Sequence, residues 1–361
     1  MLSHIRIIEF EGLGPAPFAG MMLADLGAEV IVVHRPRAEA PDPSLLDRGK
    51  RSIVLDLKAA EDLAVARALV GRADGLIEGL RPGVMERLGL GPEPCMAANP
   101  KLVYGRMTGW GQSGPRATTA GHDLAYIGLS GALWYAGAPG AAPVTPATLV
   151  GDIGGGAMYL VAGLLAGISQ ADRTGEGTVV DAAIVDGSAH MMALLMAMAA
   201  EGQMQERRGQ SVLDGPHWCR SYPCADGAWL AVQSLEPQFY AVFLERMQLS
   251  DDPRFAVQND PEQWPEQTEA LRTLFASQPR AHWMARFEGT DACVAPVLSP
   301  WEAAEDPHMA ERGVWQEVGG ALQPAPAPRF AGAAPVIKPP PERGADGDAI
   351  RQALRAGDGG S

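Results

Sequence analysis

The sequence predicts an α/β protein: a parallel sheet with helices on both faces, followed by a smaller unit of mixed strands and helices. Three observations carry that reading. Short apolar, strand-like runs alternate with helical segments over the first two hundred residues, the order that places helices on the faces of a parallel sheet. The run Val30-Ile31-Val32-Val33 is unbroken by polar residues, as a strand buried on both faces is. Past residue 200 the alternation stops, and a polar linker over 201–221 precedes a smaller unit over 222–314. A chain of 361 residues and 38.0 kDa is long enough for two such domains.

Taken in order, residues 5–10 form a short apolar strand and 18–26 a helix ended by Gly27. Further strands fall at 30–33, 53–57, 75–77 and 102–106, with helices at 61–70 and 85–88 between them. Glycines 154 to 156 lead into an apolar run over 157–168, so a helix starts near Asp152. The stretch 182–200 is apolar but broken by Asp186, Gly187, Ser188 and His190. It reads as a buried helix rather than a membrane span, with Met191, Met192, Met196 and Met198 in its core. In the smaller unit a strand is expected at 229–233 and helices at 238–247 and 266–277. The tail, rich in proline and alanine (Pro324, Pro326, Pro328, Pro335, Pro339 to Pro341), runs extended along a surface.

Composition narrows the function. A net charge of -14 and a pI near 5.0 argue against nucleic acid or an anionic membrane as partner. A mean hydropathy of -0.04 fits a globular chain. Cys95, Cys219, Cys224 and Cys293 are far apart and form no Cys-x-x-Cys pair, which suggests neither a metal site nor a disulfide framework. The first residues lack the long apolar stretch of a signal peptide. The expectation is a cytoplasmic enzyme with reduced thiols.

Two residues carry the chemistry. His122 lies in Gly121-His122-Asp123, and Asp152 in Leu149-Val150-Gly151-Asp152-Ile153-Gly154-Gly155-Gly156. A protonatable base and a carboxylate in glycine-rich surroundings suit proton transfer at carbon. Unpaired N–H groups at the expected helix start near Asp152 could stabilise a developing oxyanion. The plainer alternative is an N-cap aspartate and a solvated loop histidine. Arg35, Arg37, Arg48, Lys50 and Arg51, followed by Arg81 and Arg87, gather after the early strands, either as a seat for phosphates or as a solvated charged loop. Glu11-Gly12-Leu13-Gly14-Pro15 is no dinucleotide fingerprint and no Walker A sequence occurs, which argues against a nicotinamide or nucleoside triphosphate enzyme. Cys293 reads as a structural thiol. His190 and His308 read as packing or capping groups, and Asp181 and Asp186 as caps.

The chain also carries Met22-Leu23-Ala24-Asp25-Leu26-Gly27-Ala28, Arg48-Gly49-Lys50-Arg51-Ser52, Leu55-Asp56-Leu57-Lys58 and Arg81-Pro82-Gly83-Val84. Gly109-Trp110-Gly111-Gln112-Ser113-Gly114-Pro115, Glu236-Pro237-Gln238-Phe239-Tyr240 and Gly289-Thr290-Asp291-Ala292-Cys293 follow. In these segments, over almost its whole length, it resembles the family III CoA-transferases and, among them, the α-methylacyl-CoA racemases. It departs from the racemase pattern at Thr148 and Ala125, where asparagine is usual.

The resemblance implies an interlocked homodimer. Its large, Rossmann-like, CoA-binding domain would comprise 1–200 with 315–361, and 222–314 would be a smaller α+β domain. It implies CoA contacts at Arg35, Leu55, Asp56, Leu57, Lys58, Gly79, Leu80, Arg81, Pro82, Gly83, Val84, Arg87, Gly121, His122, Asp123, Leu124, Ala125 and Tyr126. His122 and Asp152 would be the acid/base pair of a 1,1-proton transfer that racemises 2-methylacyl-CoA thioesters through an enolate. Glu236 would orient the imidazole. No metal or other cofactor is implied, since CoA is part of the substrate. The alternative within the family is CoA transfer with Asp152 as nucleophile. His122 argues against it, as does the lack of any glycine between Gly227 and Gly289, where transferases carry a glycine-rich flap. A CoA-ester-binding protein without catalysis is the non-enzymatic alternative.

Overall fold

The computed structural model describes residues 1–39, 43–332 and 336–357. They divide into two compact units, one of Met1–Gly131, Pro146–Met191 and Gly313–Ser361, the other of Ala132–Thr145 and Met192–Arg312.

The first unit is built on a six-stranded parallel sheet. Its strands are β1 (Arg6–Phe10), β2 (Glu29–His34), β3 (Arg51–Val54), β4 (Gly75–Glu78), β5 (Val103–Thr108) and β6 (Val179–Ala183), in the order β3-β2-β1-β4-β5-β6. Its helices are α1 (Pro15–Asp25), α2 (Ala60–Val70), α3 (Val84–Arg87), α4 (Pro92–Ala98), α5 (Asp123–Ser130), α6 (Met158–Thr174) and α7 (Ile184–Met191). Helix α1 starts earlier than expected because Pro15 is well placed in a first turn, where its missing N–H is not needed. Successive side chains of β1 point to opposite faces. Ile7 joins Leu160 and Leu164 of α6 on one side, and Ile8 joins Ala66 and Leu69 of α2 on the other.

The helix near Asp152 differs from expectation. Residues Leu149–Ala157 form a π-helical segment that runs into α6, so Asp152 lies inside a wide turn and not at an N-cap. The continuous stretch Leu149–Thr174 is long and apolar enough to cross a membrane by length and composition. Its Leu160, Val161, Leu164 and Ile168 are nevertheless buried against the sheet.

The second unit holds α8 (Ala193–Ala200) and an antiparallel sheet of β7 (Cys219–Pro223), β8 (Trp229–Gln233) and β9 (Val294–Val297). Helices α9 (Pro237–Met247), α10 (Trp264–Phe275), α11 (Arg280–Phe287), α12 (Pro300–Glu305) and α13 (Pro307–Glu311) complete it. Trp218, Tyr222, Phe243, Phe275, Trp283 and Phe287 fill its core, with Phe243 stacked on Phe287 at a centroid distance of 5.9 Å. The chain then returns to the first unit through the antiparallel pair β10 (Trp315–Val318) and β11 (Ala321–Pro324), and ends in α14 (Gly347–Gly357). Ile350 of α14 is buried on the α2 side of the parallel sheet.

Four expectations on organisation need correction. Residues 201–221 are no free linker: Ser211, Asp214, His217 and Trp218 are buried, and β7 begins at Cys219. Residues 132–145 fold with that segment rather than with the large sheet. Arg208 donates to the carbonyls of Ala136, Ala138 and Ala141, and Trp134 Nε1 donates to that of Glu206. The stretch 182–200 is the end of β6 followed by two helices, and α8 has no buried residue at all; Leu194 is 69% and Met196 59% exposed. The tail is anchored rather than merely laid on a surface. Ile337 is buried, Pro339 accepts from the Gly49 N–H, and Arg343 pairs with Glu11. Pro335 lies outside the described residues.

Candidate active site

Strand β1 has β2 on one side and β4 on the other, so the crossover connections diverge there. Open parallel sheets bind ligands above such a point, at the carboxyl ends of the strands. A cavity of about 400 Å³ opens at that place. Leu13, Gly14 and Pro15 line it from the loop after β1, Gly79 to Pro82 from the loop after β4, and Met107 to Trp110 from the end of β5. His122, Tyr126 and Asp152 lie on its wall, so the two residues singled out from the sequence are brought together.

His122 is the extended residue just before α5, and its carbonyl accepts from the N–H groups of Ala125 at 2.8 Å and Tyr126 at 3.2 Å. The backbone is fixed while the side chain is exposed. Tyr126 fixes the approach to it: its hydroxyl donates to the Gly121 carbonyl, and its ring meets Trp110 edge-on at 4.7 Å. A Cβ on Gly109 would lie 2.0 Å from that ring and one on Gly121 2.6 Å, so only glycine lets the chain pass the tyrosine on either side.

Asp152 is half-buried, and its Oδ2 would be 3.7 Å from a Cβ built on Gly14. Burial raises the proton affinity of its carboxyl, the Asp123 carboxylate raises it further, and His122 works in the opposite direction. Asp123 is itself buried and turns inward. Its Oδ1 accepts from the N–H of Gly151 at 2.8 Å and of Asp152 at 2.9 Å. The Ile153 N–H donates to the Thr148 carbonyl. The N–H groups around Asp152 are therefore engaged, against the expectation that they are free for an oxyanion. Among the described residues, unengaged donors nearby include the first two N–H groups of α5, those of Asp123 and Leu124, and the indole N–H of Trp110.

The sequence pattern of CoA-transferase family III matches residues 2–347. The chain is 41% identical to mouse α-methylacyl-CoA racemase over 91% of its own length and 86% of that protein. It is also 41% identical to the human one, over 90% and 86%. The crystal structure of a CaiB/BaiF family protein from Brucella suis covers 97% of this chain and 98% of its own at a TM-score of 0.80 and 26% identity. The chain belongs to CoA-transferase family III.

The contacts expected from family III fall into distinct groups here. Gly79, Leu80, Arg81, Pro82, Gly121, His122 and Tyr126 line the cavity. Arg35, Asp56, Lys58, Arg87, Leu124 and Ala125 are exposed without lining it. Leu57, Gly83 and Val84 are partly buried, also away from its wall, and Asp123 reaches the π-helical segment instead. Leu55 is fully buried in the core, so its side chain is unavailable to a ligand.

The basic cluster also changes meaning. Arg48 pairs with Asp25, Lys50 with Glu9 and Asp47, Arg51 with Glu29, and Arg37 with Glu11. Arg48 and Lys50 are buried, so most of the cluster holds the first unit together. The side chain of Arg35 is 71% exposed, and its Nε is 3.6 Å from Glu11.

Glu236, in the second unit, is the exposed N-cap residue of α9, with no side-chain cap bond. Cys293, read as a structural thiol, is exposed at positive φ. Burial, Glu236 and Asp291 all push its thiol up, away from nucleophilic use. Asp181 accepts from the Gln112 N–H, His190 bonds Tyr159, and the cap at His308 is Asp306. Sequence reasoning missed Leu13–Pro15 as lining, having set that loop aside for its proline. It also missed the inward turn of Asp123, for which Gly151 was the available signal.

Proposed function

We propose that this chain interconverts (2R)- and (2S)-2-methylacyl-CoA thioesters, the activity for which its mouse and human relatives are named. The observation that carries the reading is the meeting of His122 and Asp152 on one cavity at the carboxyl ends of β1, β4 and β5. One of the two removes the proton alpha to the thioester. The C–H electron pair becomes the C=C bond of an enolate, and charge moves onto the thioester oxygen. The other then delivers a proton to the opposite face. Each turnover exchanges the protonation states of the pair, so their proton affinities must lie close together, and the raised affinity of Asp152 moves it toward that of an imidazole. The N–H groups of Asp123 and Leu124, unpaired at the positive end of α5 next to His122, are available to hold the enolate oxygen.

The active form we propose is an interlocked homodimer in which Glu236 of the partner subunit orients the His122 imidazole. The uncovered apolar surface of α8 favours such an assembly, since a helix that is apolar all round requires a cover. CoA enters as part of the substrate, and the reading needs no metal or further cofactor. A cytoplasmic location is supported by the free thiols of Cys95 and Cys224.

The test is NMR of a 2-methylacyl-CoA ester in deuterated water, following loss of the α-proton and epimerisation, with a carboxylate acceptor in a parallel tube. Exchange with inversion and no acyl transfer is expected. Transfer to the acceptor without exchange would make Asp152 the nucleophile of a CoA-transferase. Tight binding with neither event would leave a CoA-ester-binding protein.

A further inference from the structure

Asp123 is the neighbour of His122 in sequence and of Asp152 in space. It opens α5 while its buried carboxylate reaches across to the π-helical segment, where one oxygen accepts both the Gly151 and the Asp152 N–H. The fit leaves no slack: a Cβ on Gly151 would lie 2.4 Å from Asp123 Oδ1 and 2.9 Å from Ile127 Cγ2. A π-helical turn is a weakly held backbone state, and this one carries a residue whose carboxylate must be placed within ångströms. We propose that Asp123 is a positioning residue: its carboxylate pins the turn bearing Asp152 and ties both members of the acid/base pair to the first turn of α5. This inference rests on His122 and Asp152 being that pair.

The charge of Asp123 adds a second effect. It disfavours the ionised form of Asp152, which His122 favours. Tyr126 faces Asp152 as a phenol whose own ionisation Asp152 opposes, and the loop before α1 brings up only Gly14. Asp186 and His190 of α7 and Asp181 of β6 line a different hollow, with Tyr159. Helix α6 carries its charged residues, Asp172 and Arg173, in its last turn, and Tyr159 in its first turn is bonded to His190.

Two variants separate the clamp from the charge. Asp123→Asn keeps an oxygen that can accept both N–H groups but removes the charge; Asp123→Ala removes both. Expected for Asp123→Ala is a loss of α-proton exchange on the order of 100-fold, with faster amide hydrogen exchange at Gly151 and Asp152. Asp123→Asn should restore amide protection and most of the rate. Its pH–rate profile should move to lower pH, on the acid limb for one enantiomer and the alkaline limb for the other, because Asp152 then ionises more readily. Unchanged amide protection in Asp123→Ala, or an unmoved profile in Asp123→Asn, overturns the proposal while the racemase reading stands. A wild-type protein that exchanges no α-proton at any pH takes down both.

Discussion

Two groups of ionisable side chains in the first unit are built on opposite plans. Under β1 to β3, Lys50 is enclosed: its Nζ is 2.7 Å from Glu9 and 3.2 Å from Asp47, and it donates to the Pro17 carbonyl at 3.1 Å. At the mouth of the sheet, His122 is exposed and Asp152 half-buried, and among the described residues neither has an ion-pair partner. A charge that serves the fold is walled in with its counter-charges. The pair proposed to give and take a proton is instead left open on the cavity side, where a bound substrate would complete its surroundings.

The largest effect should come from breaking the open group. His122→Ala should lower α-proton exchange by about 10²–10⁴-fold and leave the thermal midpoint unchanged, because the side chain supports no packing. Rate and midpoint measured on one preparation decide it, and a falling midpoint with retained exchange would erase the contrast. The enclosed group should answer in reverse. Lys50→Met strands two buried carboxylates and should cost about 3 kcal/mol of stability at pH 8 in urea unfolding; a cost below about 1 kcal/mol would place the pair among exposed ones.

The pH dependence of stability sharpens the same point. Burial, outweighing the attraction of Lys50, pushes the Glu9 carboxyl up to about 7 from an ordinary 4.5. A group whose folded value is raised binds its proton more tightly in the folded state. Its contribution is therefore complete below pH 4.5 and lost as pH rises through about 7. Urea titrations of wild type and Glu9→Gln across that window should converge on or diverge from one another with this sign, the wild type losing ground as pH rises. The smallest effect concerns Thr148, a β-branched residue at φ 59 just before the π-helical segment. Asparagine tolerates that conformation, so Thr148→Asn should add about 1 kcal/mol, read as a higher unfolding midpoint.

Much of the first unit was legible in the residues. Val30 to Val33 and the residues around Ile7 alternate with helices closely enough that strand β6 alone among the parallel strands went unassigned. Less of the second unit was. Arg208 reaches back to Ala136, Ala138 and Ala141, and no local pattern announces a contact across some seventy positions. Helix α8 shows the limit of composition, since eight apolar residues imply a cover without implying that this chain's own core supplies it.

By itself the sequence determined the α/β alternation and the family, and it offered His122 and Asp152 as the candidate acid/base pair. Periodicity and residue type are local properties, and these conclusions need nothing more. Tertiary structure decided which charges are structural and which are free, turning Lys50 and Arg48 inward and leaving His122 open. It also decided that the N–H groups near Asp152 are bound by Asp123. A side chain's charge is written in the sequence, but its partners and its exposure to water are set by the surfaces that fold against it, and those set its proton affinity.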